Sequence, residues 1–185
     1  MAATPSTMLA LGTKLPEFSL VDAITGKLVS ASDINIRNGA LVLFICNHCP
    51  FVIHIRSELV KVANEALDAG VAVVAINSNS IESHPQDGPT HMKELAKGED
   101  WRFPFLFDET QEVAKAFTAA CTPDIFLFDA NQELAYRGQF DDSRPSNGKP
   151  VTGTNLRAAI TAVAAKKPVS RDQKPSIGCN IKWNS

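Results

Sequence analysis

Two unbroken apolar runs, residues 40–45 and 71–76, stand out from a chain that elsewhere alternates or is amphipathic. Continuous apolar character without alternation predicts strands buried on both faces. From Pro50 the spacing changes. Val52, Ile55, Leu59, Val62, Ala63 and Ala66 recur at intervals of three and four, which predicts a helix, and Gly70 suits the position just past its end. Ahead of the first run, residues 18–21 alternate, 22–26 supply turn residues and 27–29 resume, which predicts a hairpin, and Asn38-Gly39 makes a turn. Beyond the second run lies a polar loop over 77–89, then a short helix over about 90–97 and a strand over 105–107. Asp108 is placed to cap a helix through Val113, Ala114 and Phe117, with Glu112 near its start. Residues 124–128 and 134–137 flank Asp129-Ala130-Asn131-Gln132 as a second hairpin, and 153–165 form a final amphipathic helix.

This order predicts one α/β domain with a mixed central sheet flanked by helices. Residues 1–13, rich in Ala, Thr and Ser, are expected to be a flexible arm. The domain proper is expected over 14–165. Residues 166–185 read as a polar, irregular tail packed on the domain, because Ile177, Ile181 and Trp183 call for burial.

At 185 residues, with 44% apolar and 21% charged residues, the chain is the size of one domain with its own core. A net charge of −2 gives no field for nucleic acid, and no basic aromatic stripe is visible. No stretch approaches the roughly 20 apolar residues that span a bilayer. Residues 1–12 carry neither Lys nor Arg and too short an apolar run for a secretory signal. A cytoplasmic protein is therefore expected, with neither nucleic acid nor membrane as partner and no cofactor. Four cysteines in such a chain do not make a secreted disulfide scaffold. In a reducing compartment a Cys-x-x-Cys is redox-active or metal-binding more often than structural.

That motif is Cys46-Asn47-His48-Cys49-Pro50, delivered by the first buried run into the start of a helix. Thiolate is the reactive form of cysteine, and the free N–H groups of a helix N-terminus favour it. Two sulfurs within one turn can also exchange a disulfide between themselves. Pro50 at the first helical position makes Cys49 the N-cap and the favoured attacker, with Cys46 as its resolving partner. The alternative has Cys46 attacking.

With Thr122-Pro123 ahead of a later strand, the layout resembles the thioredoxin superfamily. Residues 15–20 (Leu-Pro-Glu-Phe-Ser-Leu) and 107–109 (Phe-Asp-Glu) resemble the branch holding peroxiredoxins and the TlpA-like thiol reductases, and residues 44–52, 121–124 and 178–183 are similar to the bacterial peroxiredoxin-like group within the alkyl hydroperoxide reductase and thiol-specific antioxidant (AhpC/TSA) clan, over about 14–183. The resemblance implies a thioredoxin-like fold with an N-terminal hairpin extension and thiol-dependent redox chemistry. It implies that Pro123 is a cis proline facing the cysteines and that Thr122 presents its backbone to an incoming disulfide. His48 supports the Cys46 alternative, since a His inside Cys-x-x-Cys stabilises the thiolate of periplasmic disulfide oxidants. The implied partners are a protein dithiol or disulfide, a small thiol reductant, or a hydroperoxide.

The peroxiredoxin motif Pro-x-x-x-Thr/Ser-x-x-Cys, counted back from Cys49, meets Cys46 and Val42; counted from Cys46, it meets Leu43 and Gly39. Pro123 stands where that family carries Arg. A thiol peroxidase with Cys49 as peroxidatic residue is thus the second reading. Cys121 is expected near the site as a further resolving thiol or a packed residue, and Cys179 as a resolving thiol or a packed tail residue. Arg144, in a charged cluster with Arg137, Asp141 and Asp142, could line the cleft and lower a thiol pKa. Two readings of another class are a metal site from Cys46, His48 or Cys49, and Cys121, which lacks the second paired motif usual for zinc, and a non-catalytic interaction protein.

Overall fold

The apolar runs become the centre of a seven-stranded sheet. The computed structural model describes residues 3–185. In chain order the elements are β1 (Ala3–Pro5), β2 (Ser19–Asp22), β3 (Leu28–Ser30), β4 (Ala40–Phe44), α1 (Pro50–Asp68), β5 (Ala72–Asn77), α2 (Pro89–Lys97), β6 (Phe105–Phe107), α3 (Glu112–Ala116), β7 (Cys121–Thr122), β8 (Asp124–Phe128), β9 (Leu134–Arg137), α4 (Thr154–Ala164) and β10 (Ile177–Asn180). The main sheet runs β3-β2-β6-β5-β4-β8-β9. Its core, β6-β5-β4, is parallel, and antiparallel pairs close both sides. A parallel pair needs a crossover, and α1 supplies it between β4 and β5.

Every residue of β4 and of β8 is buried, because layers cover both sheet faces. Leu41, Leu43, Val73, Ala75, Ile125 and Leu127 face α1 and α4, through Val52, Leu59, Leu156 and Val163 among others. The alternate residues Val42, Phe44, Val74, Ile76, Phe126 and Phe128 face α3, where Phe117 meets Phe44 edge-on at 5.2 Å. No helix among the described residues is long and apolar enough to cross a membrane.

Three short elements depart from expectation. Met1 and Ala2 of the anticipated flexible arm lie outside the described residues, but Ala3–Pro5 is not loose. It pairs antiparallel with β10, which pairs in turn with β7, giving a second sheet of order β1-β10-β7. The tail is correspondingly less irregular than its polar composition suggests. Asp108 caps α3 from four residues upstream of its first residue. Its buried carboxylate accepts the Ala114 N–H at 2.9 Å and the Ser78 hydroxyl at 2.8 Å, while the N-cap position itself is Gln111 with φ 64°.

Asp124, at the start of β8, is fully buried, and that burial pushes its carboxyl up to about 6. An unfolded chain ionises the same group near pH 4. Between about pH 4 and pH 6 the native state therefore holds more protons than the unfolded state, and stability falls as pH rises through that window by about 3 kcal/mol. Asp124→Asn removes this fall. Urea denaturation is expected to show the variant more stable than the parent at pH 7 and no more stable at pH 4; an equal difference at both pH values would refute the assignment.

Candidate functional site

Where β4 ends, Ile45 still donates to the Ile76 carbonyl at 3.0 Å, and the chain then turns through 46–49 into α1. Cys49 is the N-cap, with extended backbone (φ −64°, ψ 122°), and Pro50 opens the helix. Proline is suited there because its missing N–H would have had no helical partner. Across from this turn lies the Thr122–Pro123 peptide, which is cis. Cys49 Sγ sits 3.1 Å from the Thr122 carbonyl oxygen and 2.9 Å from Cys179 Sγ. Cys46 Sγ is 3.4 Å from the Thr122 hydroxyl.

The two cysteines of the motif are driven apart in acidity. The neighbouring Cys46 thiol is the largest cause holding Cys49 well below the usual thiol range. Burial opposes it, and the Cys179 thiol, the Val52 N–H and the Thr122 side chain add to the lowering. Cys46 is pushed far up by the same pairing, then by burial and by the nearby charge of Asp87. Burial, then the bond to Cys49, pushes Cys179 up to about 12. The two cysteines of the motif thus differ in acidity in one direction: Cys49, at the helix N-terminus, is the sulfur that ionises first, and Cys46 and Cys179 are the weaker acids beside it.

Sequence reasoning had no signal for Asp87. It sits in a 3-10 turn (Pro85–Asp87) inside the polar loop, fully buried. Its carboxylate accepts the Asn47 N–H at 2.9 Å, the His48 N–H at 3.3 Å, His48 Nδ1 at 2.6 Å and Asn79 Nδ2 at 2.9 Å. His48 therefore turns toward Asp87 and is not among the groups that lower a thiol pKa here.

Other expected residues divide. Cys179 belongs to the site, seated by the antiparallel pairing of Cys179 with Thr122. Cys121 is buried with its Sγ 3.5 Å from the Pro123 carbonyl, and burial, then the Asp124 charge, pushes its thiol up. Arg144 lines a small cleft with Pro123, Phe51 and Ile177, but its guanidinium donates to the Asp141 and Ser143 carbonyls and to Gln139 Oε1. It touches no cysteine, because the loop carbonyls satisfy it first. Of the anticipated metal ligands, Cys46 and His48 converge with Asp87, and Cys121 does not join them.

Access is set by the tail. Cys49 is 0% exposed, and strand β10 lies along Thr122 directly over it. Gly178 permits this closeness, since a Cβ there would fall 1.9 Å from the Thr122 carbonyl oxygen.

Two outcomes follow from this geometry. The alkylation rate of Cys49, located by mass spectrometry, is expected to be flat from pH 9 down to well below the ~8.5 midpoint of a free thiol, because the thiolate persists there. Cys46→Ala, which removes the leading cause, shifts the midpoint upward; a parent profile rising through ~8.5 would contradict the assignment. Gly178→Ala is expected to unseat β10 and raise the alkylation rate at least roughly tenfold by populating the open state. An unchanged rate would show that Cys49 is reached by another route.

An uncharacterised conserved protein from Geobacillus kaustophilus superposes with a TM-score of 0.97 at 51% identity, over 100% of this chain and 97% of its own. A hypothetical protein from Sinorhizobium meliloti 1021 does so with 0.95 at 48% identity, over 98% and 99%. A thiol:disulfide interchange protein of the thioredoxin family from Chlorobium tepidum TLS aligns with 0.63 at 19% identity, over 84% and 98%, and fixes the fold as thioredoxin-like. Among curated proteins no sequence relative matches the chain. The AhpC/TSA family profile matches residues 11–137, more than half of the molecule, and the chain belongs to the AhpC/TSA family.

Proposed function

We propose that this protein is a thiol–disulfide oxidoreductase in which Cys49 attacks and Cys46 resolves. The observation that carries the reading is the placement of the pair: Cys49 is the N-cap of α1, Cys46 precedes it in the same turn, and both sulfurs lie against Thr122 of the cis Thr122–Pro123 peptide. AhpC/TSA membership supports thiol-dependent redox chemistry in general.

In the cycle, the Cys49 thiolate attacks a disulfide of a protein or small molecule and forms a mixed disulfide, releasing one partner thiolate. Cys46 then attacks Cys49, forming the Cys46–Cys49 disulfide and releasing the second partner sulfur. A dithiol protein or small thiol restores the reduced pair. Cys179, at 2.9 Å from Cys49, offers a second resolving route. Because Cys49 is fully covered, a disulfide substrate reaches it only once β10 moves off Thr122. Peroxidase chemistry is less well supported: Arg144, the expected cation of the cleft, spends its donors on the adjoining loop. A cytoplasmic location is part of the proposal, since four free cysteines suit a reducing compartment.

Dithiol-linked reduction of insulin checks the roles. Cys49→Ser is expected to lose about a thousandfold or more of the rate, as removal of a nucleophile does. The double variant Cys46→Ser, Cys179→Ser keeps the attack and accumulates a mixed disulfide visible by mass spectrometry. If that adduct instead forms on Cys46 in Cys49→Ser, the order of the two cysteines is reversed.

A further inference from the structure

The resolving step leaves a proton without an obvious destination. Cys46 rests as a thiol, and only thiolate is a competent nucleophile. Its side chain is 1% exposed, so bulk water does not collect the proton. Among the described residues, one group of titratable side chains gathers around it: Cys46 Sγ, a ring nitrogen of His48 and a carboxylate oxygen of Asp87 all lie within 4.8 Å of one another.

We propose that His48 accepts the proton of Cys46 in the resolving step, and that Asp87 is the positioning residue that holds the imidazole for it. The proposal rests on the Cys49/Cys46 reading above.

The hydrogen bonds divide the labour. Asp87 already accepts from four N–H groups, two on each oxygen, and is fully buried. With its lone pairs occupied it is poorly placed either as the base or as a cation ligand. A carboxylate can only accept, so His48 Nδ1, 2.6 Å away, carries the hydrogen. In the neutral ring the lone pair then sits on Nε2. That atom is buried and has no hydrogen-bond partner, a state that calls for a reason in a folded protein. The ring is fixed on its face as well, stacked on His84 with centroids 4.6 Å apart. The charged and titratable groups around the dyad are Cys46 and Cys49 from the motif, His84 from the loop and Lys182 from the tail. The anion in direct contact with the ring is Asp87 itself.

The step balances. As the Cys46 sulfur bonds to Cys49 sulfur, its proton passes to His48 Nε2 and the bond between Cys49 and the partner breaks. The partner sulfur leaves with the electron pair and takes the proton back from the imidazolium. Cys46 and Cys49 together lose two electrons, and the partner disulfide gains them.

Single-turnover reaction of the full chain with dithiodipyridine, in a Cys179→Ser background, separates the two stages as two releases of thiopyridone. His48→Asn keeps an amide donor for Asp87 and removes the basic nitrogen. It is expected to leave the first release within about twofold, to slow the second about a hundredfold, and to make the second rise log-linearly with pH. Asp87→Asn is expected to slow the second release less than His48→Asn does, because the ring keeps its basic nitrogen and loses only the carboxylate that orients it. His48→Gln, checked by circular dichroism, guards against a folding defect in His48→Asn. A second release with parental rate and pH profile in both His48 variants overturns the proposal, as does loss confined to the first release. Should Cys49→Ser retain the first release, it is the underlying assignment of Cys49 that fails.

Discussion

The confinement of Cys46 and Cys49 in one buried turn against Thr122 organises everything else in this site. Burial alone would make both cysteines poor acids, since a sulfur anion without water is costly. Two adjacent sulfurs resolve the conflict by shifting in opposite directions, one toward ionisation and the other away from it. The helix decides which. Cys49 is the N-cap of α1, where the free N–H groups of the first turn favour an anion, whereas Cys46 lies outside the helix and near the charge of Asp87. Both fields act in the same sense, so the negative charge settles on Cys49 and the proton on Cys46.

That polarity needs a dry enclosure, and the enclosure is assembled from both ends of the chain. β10 fits between β1 and β7 and brings a third sulfur against Cys49. The close fit is possible because Gly178 has no side chain to strike the Thr122 carbonyl. The same strand that completes the donor set also occupies the backbone edge beside Pro123. Thiolate stabilisation and substrate access therefore pull on one element in opposite directions. Opening admits a partner and removes the Cys179 donor, while Cys46, the larger of the two influences, remains in place.

What could be read from the chain divides along physical lines. Strands β4 and β5 and helix α1 announce themselves because burial on two faces or one leaves a periodic apolar signature long enough to detect. The N-cap role of Cys49 was legible for the same reason: Pro50 marks the helix start locally. β1, β7 and β10 were not, since two to four residues carry no period and their pairing joins residues far apart, as Ala3 to Cys179. Asp87 was hidden differently. It lies in a loop of Ser, Asn, His and Gly where an acid looks solvated, and only the folded chain shows it enclosed by backbone and amide donors. Arg144 misled in the opposite way, since nearby carbonyls in its own loop claim a guanidinium before a distant thiol can.

The position of His48 shows how strongly the second contact of a side chain governs its chemistry. A histidine between two cysteines invites the reading that it stabilises a thiolate, which requires a ring N–H aimed at sulfur. Here Asp87 accepts the Nδ1 hydrogen and the two backbone N–H groups of the same turn, so the imidazole is oriented by a buried anion. A carboxylate held against Nδ1 in this way fixes the ring and leaves the lone pair of the neutral imidazole on Nε2. The carboxylate thus acts on both members of the motif through different routes. Its field keeps the proton on Cys46 at rest, and its hydrogen bond prepares the neighbouring ring to remove that proton when Cys46 must attack.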